Sequence, residues 1–235
     1  MTGLFIVLEG IDGSGSTTQG DRLTTHLRNR GYPTVFTHEP TGGPAGMLIR
    51  LALEGRLTGS GTPAIDPGPK NELDPETMAL LYAADRIDHL RTQVEPALES
   101  GHHVVCDRYV LSSLAYQGLT SNLDWLLEIN RHARVPDLTL YLDVDATSAK
   151  RRMRQTRFSE DLYEAEAILE KVRYNYLELI SREDEQFGRI LTLDAGERRE
   201  SVTARIIAVV DRLTGSRSLD DDLTLPLQYG EHEPK

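Results

Sequence analysis

Residues 4–19 read Leu4-Phe5-Ile6-Val7-Leu8-Glu9-Gly10-Ile11-Asp12-Gly13-Ser14-Gly15-Ser16-Thr17-Thr18-Gln19, and their reading decides the fold. The first five are a continuous apolar run of strand length. Such a run suits a strand covered on both faces, as in a parallel sheet. A glycine-rich turn follows, then a segment with helical spacing in which Leu23 and Leu27 stand four apart. Strand, glycine turn and helix in that order are the context of a phosphate-binding loop (P-loop). Gly10 and Gly15 have its G-x-x-x-x-G spacing. Glycines there, Gly13 included, let successive N–H groups turn inward around an anion, and the helix N-terminus behind them adds its dipole. Thr17 stands where the hydroxyl ligand of a phosphate-bound Mg²⁺ belongs. The residue before it departs from the pattern. A lysine there would bring a positive charge to the β- and γ-phosphates, whereas this chain has Ser16, which offers only a hydrogen bond. The competing reading is an ordinary strand-to-helix turn.

Outward from the loop, short apolar runs recur at Pro33–Thr37, His103–Cys106, Leu138–Leu142 and Ile190–Leu193. Between them lie segments of helical period. Met78, Leu81, Ala84 and Ile87 mark one over Glu76–Val94, and Leu123, Leu126 and Leu127 mark another. Ile168, Leu169, Val172, Tyr176 and Leu179 define a third, and Val202, Ile206, Val209 and Leu213 a last. Strands alternating with helices predict an α/β fold, a five-stranded parallel sheet wrapped by helices. Gly55–Pro75 is rich in Gly and Pro, lacks period and reads as a surface loop. Residues 1–215 are expected to form the folded unit, and residues 216–235, with their run Asp220-Asp221-Asp222, a mobile acidic tail.

The 235 residues carry 26 Lys+Arg against 37 Asp+Glu, a formal charge of −11. That balance argues against a general nucleic-acid binder, which needs a positive field. No apolar run approaches the length of a membrane span. The sole cysteine, Cys106, excludes an intrachain disulfide and fits a reducing, cytoplasmic compartment.

Other constellations read two ways. His38-Glu39-Pro40 follows the second run, where the carboxyl ends of strands face a ligand crevice; a solvated turn is the alternative. Tyr82 and Arg86 share one helix face, so a ring and a guanidinium can meet a base together. Equally, the pair reads as a core tyrosine beside a surface arginine. Asp107-Arg108-Tyr109 ends the third run, offering a carboxylate for a metal-bound water and a guanidinium to clamp a phosphate. Arg108, Ser112 and Tyr116 repeat every four residues, with Ser113 and Gln117 as a parallel row. Residues 150–157 hold five bases and no acid, as Lys150, Arg151, Arg152, Arg154 and Arg157. They read either as a lid over phosphates or as a charge-balanced surface helix.

Together these segments resemble the thymidylate kinase family of P-loop nucleoside-monophosphate kinases, from about Leu4 to Leu213 and with the motifs in family order. The specific part is the combination of LEGIDGSGSTTQ, THEP, LLYAADR, DRY, SSLAYQG and the basic segment after LYLDVD. The resemblance implies a P-loop kinase fold with a basic lid, paired as a homodimer, that moves the γ-phosphoryl of MgATP to dTMP. It assigns ATP phosphates to Gly10, Gly13, Ser14, Gly15, Ser16, Thr17 and Thr18, and Mg²⁺ to Thr17 and Asp107. Asp12 would face the nucleoside sugar and Glu39 would order the acceptor site. Tyr82 would stack on thymine, with Arg86, Ser113 and Gln117 on its polar edge. Arg108 would grip the acceptor phosphate, and Tyr116 would crowd the 2′ position. Arg151 resembles the arginine that stacks on adenine, beside Asp194-Ala195-Gly196. Gly13 stands where some members carry a loop arginine, so the chain looks like the type that supplies it from the lid, here Arg154 and Arg157. The lid departs from the frequent Asp-Arg-x-Glu, reading Asp161-Leu162-Tyr163-Glu164. A non-catalytic nucleotide-binding protein, or a kinase for dUMP or another deoxynucleotide, are the alternatives that Ser16 and the Tyr82 hydroxyl leave open.

Overall fold

A computed structural model describes residues 3–57, 73–154 and 162–215. Its order is β1 (Phe5–Glu9), α1 (Ser16–Asn29), β2 (Thr34–His38), α2 (Pro44–Leu53), α3 (Pro75–His89), α4 (Glu95–Glu99), β3 (His103–Asp107) and α5 (Val110–Gln117). Then come α6 (Leu123–Asn130), β4 (Leu138–Asp143), α7 (Ala146–Arg154), α8 (Leu162–Ser181), β5 (Ile190–Asp194) and α9 (Arg199–Gly215). The five strands pair in parallel in the order β2-β3-β1-β4-β5, as the five apolar runs predict. β1 is buried along its whole length, which explains why its sequence shows no polar alternation.

Register sets the site. Leu8 lies beside Asp107, and His38 pairs with Asp107 from the other side. The switch point of the sheet lies between β1 and β3, since the connection after β1 runs to one side, to β2, and the connection after β3 runs to the other, to β4. Ligands of open α/β sheets lie at the carboxyl end of such a point. Here that end is the glycine turn.

Two helical features differ from expectation. The single helix expected over Glu76–Val94 divides into α3, a π turn at Leu90–Val94, and α4. Pro96 brings no N–H to the ladder, so the regular helical bonding is interrupted there. α3 itself starts where Asp74 accepts the N–H groups of Glu76 and Thr77. α2 was not legible from periodicity. It is short and apolar, opens on Pro44, and leaves Met47, Leu48 and Leu53 exposed. Most of the Gly55–Pro75 loop, Arg157, Asp161 and the tail 216–235 lie outside the described residues.

Candidate active site

The turn after β1 is shaped as an anion cradle. Gly13 and Gly15 hold left-handed backbone, with φ of 83° and 97°. Among the described residues no side chain caps the first turn of α1, so its N–H groups remain available to a ligand. Ser14 and Ser16 are buried, and Thr17 and Thr18 lie at the open mouth. Ser14 Oγ is buried with no partner among the described residues. Thr17 Oγ1 donates to Asp107 Oδ2 across the mouth, while Asp107 Oδ1 is buried and has no partner among the described residues.

Arg108 begins the next wall. It has left-handed backbone, φ 70°, a costly conformation for a residue with a side chain. Its own N–H bonds Leu8 O at 2.8 Å. Glu9, 1% exposed, then secures the following turn. Its Oε1 accepts the N–H groups of Tyr109 (2.9 Å) and Ser112 (3.2 Å). Its Oε2 accepts Ser112 Oγ at 2.5 Å and Tyr176 OH at 3.0 Å. Burial pushes the Glu9 carboxyl up; the Ser112 hydroxyl and the Arg108 charge oppose that shift. So held, the Arg108 guanidinium reaches Asp12 Oδ1 (2.5 Å) and Gly10 O (3.2 Å) and lies over the Tyr116 ring. Burial alone would weaken its charge, but the oxygens of Tyr116 and Tyr176, with Asp12 and Asp107, raise it above the ordinary arginine range. The Tyr116 hydroxyl accepts Asp12 N–H at 2.9 Å, and burial pushes it up to about 12, so it stays neutral. Beneath, the Cys106 thiol donates to Arg108 O at 3.1 Å.

The third wall is a buried fork. Arg86 Nη2 donates to Glu39 Oε2 (2.7 Å), Ser113 Oγ (2.9 Å) and Tyr109 O (3.0 Å), and Nη1 donates to Asn130 Oδ1. The Arg86 and Glu39 side chains are 2% and 3% exposed. This corrects two readings at once: Arg86 is not a surface arginine, and Glu39 is not in a solvated turn. The reason is mutual, since neither charge is tolerable in the interior without the other. His89 backs the pair, with Nδ1 3.1 Å from Glu39 Oε1 and Nε2 2.7 Å from Thr37 Oγ1. Tyr82 stands one turn before Arg86, with its hydroxyl pushed up by burial. Gln117 stands one turn after Ser113. Arg86 Nε and Gln117 Oε1 are buried without partners among the described residues, hydrogen-bonding capacity left for a ligand.

Helix α7 closes the fourth side. A Cβ at Gly13 would come within 2.4 Å of Ala149 O, so the helix rests directly on the loop. Arg152 Nη1 donates to Gly13 O (3.4 Å) and Ser14 O (3.3 Å), and Nη2 donates to Ala195 O at 2.6 Å. Arg151 and Arg154 are exposed. Adjacent helix positions point about 100° apart, so the contact beside Asp194-Ala195-Gly196 falls to Arg152 rather than to Arg151.

Family comparison agrees with this geometry. The family model described as thymidylate kinase matches residues 8–206. The chain belongs to the thymidylate kinase family. It is 41% identical over 213 residues to a probable thymidylate kinase of Thermococcus kodakarensis, covering 90% of this chain and 99% of that one. It is 39% identical over 216 residues to one of Pyrococcus horikoshii, covering 89% and 97%. A third, from Pyrococcus abyssi, is 40% identical over 215 residues, with 89% and 97% covered.

Four residues of this thymidylate-kinase-like site escaped the sequence reading. Glu9 had a visible signal, an acid ending a wholly apolar strand just before the loop. His89 and Asn130 had none, because only the fold brings them to Glu39 and Arg86. Arg50 was hidden in the unanticipated α2. Its Nη2 donates to Pro40 O at 2.5 Å and lies 2.9 Å from His38 Nε2, locking the Glu39–Pro40 turn, whose peptide is cis.

Proposed function

We propose that ATP lies along the glycine loop and dTMP between Arg108 and the Arg86 fork, and that the chain transfers the γ-phosphoryl of ATP to dTMP, giving dTDP. The observation that carries this reading is the meeting of Arg108 and Asp12 at the loop's own Gly10. A triphosphate cradle and a half-buried guanidinium there address one point in space. An oxygen of the dTMP phosphate forms the new bond to Pγ as the bond from Pγ to the β-phosphate oxygen of ADP breaks. That acceptor oxygen is anionic near neutral pH, so no general base is needed. Catalysis is therefore positioning and neutralisation of charge.

Arg108 would grip the acceptor phosphate with two bonds, exchanging Asp12 for it and freeing Asp12 to meet the sugar. Tyr82 would stack on thymine, with Arg86 Nε, Ser113 and Gln117 along its polar edge. Tyr116 crowds the 2′ position, and Glu39 orders the turn through Arg86. Thr17 and Asp107 fit Mg²⁺: both offer hard oxygens, and Asp107 Oδ1 lacks a partner among the described residues. When bound, the ion would spread the charge of the phosphates. Arg154 and Arg157 would meet the transferring group from the lid. One loop charge lost without replacement would cost about 3–4 kcal/mol of barrier, or 10²–10³ in rate.

Residues 1–215 are the kinase unit in this reading. Exposed Met47, Leu48 and Leu53 on α2, and Leu80 beside the apolar groove between α3 and α6, support a face for a second copy. Among the described residues no helix is long and apolar enough to cross a membrane. The buried free Cys106 supports a cytoplasmic site of action.

The test is ADP release with MgATP and dTMP, dUMP, dCMP, dGMP or dAMP. Selective turnover of dTMP is expected. Turnover of another nucleotide keeps the mechanism and moves the substrate, a result to which the Tyr82 hydroxyl would be relevant. Binding of ATP and dTMP with no turnover overturns the reading in favour of a non-catalytic role.

A further inference from the structure

The loop from Gly10 to Gln19 contains no lysine or arginine. Ser16 removes the usual cation. Gly13 cannot supply one, because its φ of 83° and the 2.4 Å approach of Ala149 O forbid a side chain. The same approach that excludes a cation on the loop brings another to it. Arg152 follows Ala149 by three residues, hence on the same helix face. Its guanidinium spans Gly13 O, Ser14 O and Ala195 O. All three acceptors are neutral carbonyls, so no carboxylate among the described residues bonds the guanidinium where it is held. Asp145 and Asp194 act on it only through space, and Arg151 and Arg199 act against it.

The carbonyl and N–H of a peptide point in opposite directions. A cation bonded to the outer carbonyls of peptides 13–14 and 14–15 polarises both and fixes their planes. That strengthens the Gly15 N–H as a donor to an anion inside the turn. We infer that Arg152 is a positioning residue of the phosphate loop, supplying from outside the charge that Ser16 does not supply from within. The inference rests on ATP binding at this loop. It separates Arg152 from Arg154 and Arg157, which would touch the transferring group itself.

The test is a cycle of wild type, Ser16→Lys, Arg152→Ala and the double variant, with thermal unfolding confirming that each is folded. Arg152→Lys serves if the alanine variant does not fold, since it keeps a charge but cannot bridge three carbonyls. Two quantities are read: kcat at saturating dTMP, and Kd for ATP and for inorganic tripolyphosphate without acceptor. Arg152→Ala is expected to weaken ATP and tripolyphosphate alike, and to lower kcat by about 10–100-fold when residue 16 is serine. With lysine at 16 the same change is expected to cost about threefold or less. Equal losses in both backgrounds overturn the inference. So does a loss confined to ATP, which would place Arg152 on the base rather than on the phosphates. A wild type that turns over no monophosphate refutes the kinase reading alone, because the tripolyphosphate cycle still scores Arg152.

Discussion

The two sides of the cleft are built by opposite means. The Arg86 side is a network of side chains, with a buried guanidinium and carboxylate backed by His89, Thr37, Asn130 and Ser113. The loop side is mostly backbone, and its cations stand on a helix that leads into residues outside the described structure. A prebuilt polar network holds a shape whether or not a ligand is present, at the risk that removing one member strands the rest. A backbone cradle depends little on any one side chain and takes its charge from what closes over it. In the proposed reading, the first design would serve selection of a small planar base. The second suits a polyphosphate that must be gripped during transfer and then released.

Changes on the two sides should therefore differ in kind as well as in size. Arg86→Ala has the largest expected effect. It leaves Glu39 buried without its partner, for a loss of about 3–5 kcal/mol in urea unfolding. A loss below about 1 kcal/mol would show that the fork relaxes, removing the contrast. Arg108→Ala stands at the junction of the two sides. It should lower kcat/KM for dTMP by about 10²–10³ and leave KM for ATP within about threefold. Unchanged acceptor use would refute the phosphate clamp. The double change Arg154→Ala and Arg157→Ala should cut kcat by roughly tenfold or more while barely moving ATP binding or unfolding. If turnover survives, the loop side needs no lid cation.

Asp145→Ala is the mildest, and it tests the footing of α7. Asp145 caps that helix, accepting Ser148 N–H at 2.7 Å, and this bond holds its carboxyl below the usual range. A cap of this kind contributes about 1 kcal/mol. A depressed carboxyl stabilises the fold fully above its unfolded value near 3.8, and the stabilisation is lost as pH falls through the folded value. The difference between wild type and Asp145→Ala should thus be constant near neutrality and shrink only below about pH 4. A gap that persists at the lowest pH would show that the ionised cap contributes nothing.

Legibility in the sequence followed the same division. The loop side could be read because backbone conformation leaves its mark in glycine spacing, and Thr17 and Asp107 indeed meet. All five strands could be read because burial on both faces removes polar residues. The fork could not be read from its parts. Arg86 and Glu39 are separated by 47 positions and each alone looks like surface. Their burial follows from pairing, which only the crossing of α3 over the β2 end creates. Arg152 shows a finer limit. The basic run was visible, but which arginine faces the loop depends on helix phase to within one residue.

Cys106 gives the molecule a chemical clock. It is the sole thiol, lies wholly inside β3, and donates to the carbonyl of Arg108. Burial, with the carboxylates of Glu39, Asp107 and Glu9, keeps it protonated. A thiol reagent can therefore react only when the strand that leads into Arg108 comes open. The labelling rate of the unmodified protein counts those openings directly. A nucleotide seated on Arg108 should slow the clock by as much as it steadies the floor beneath it.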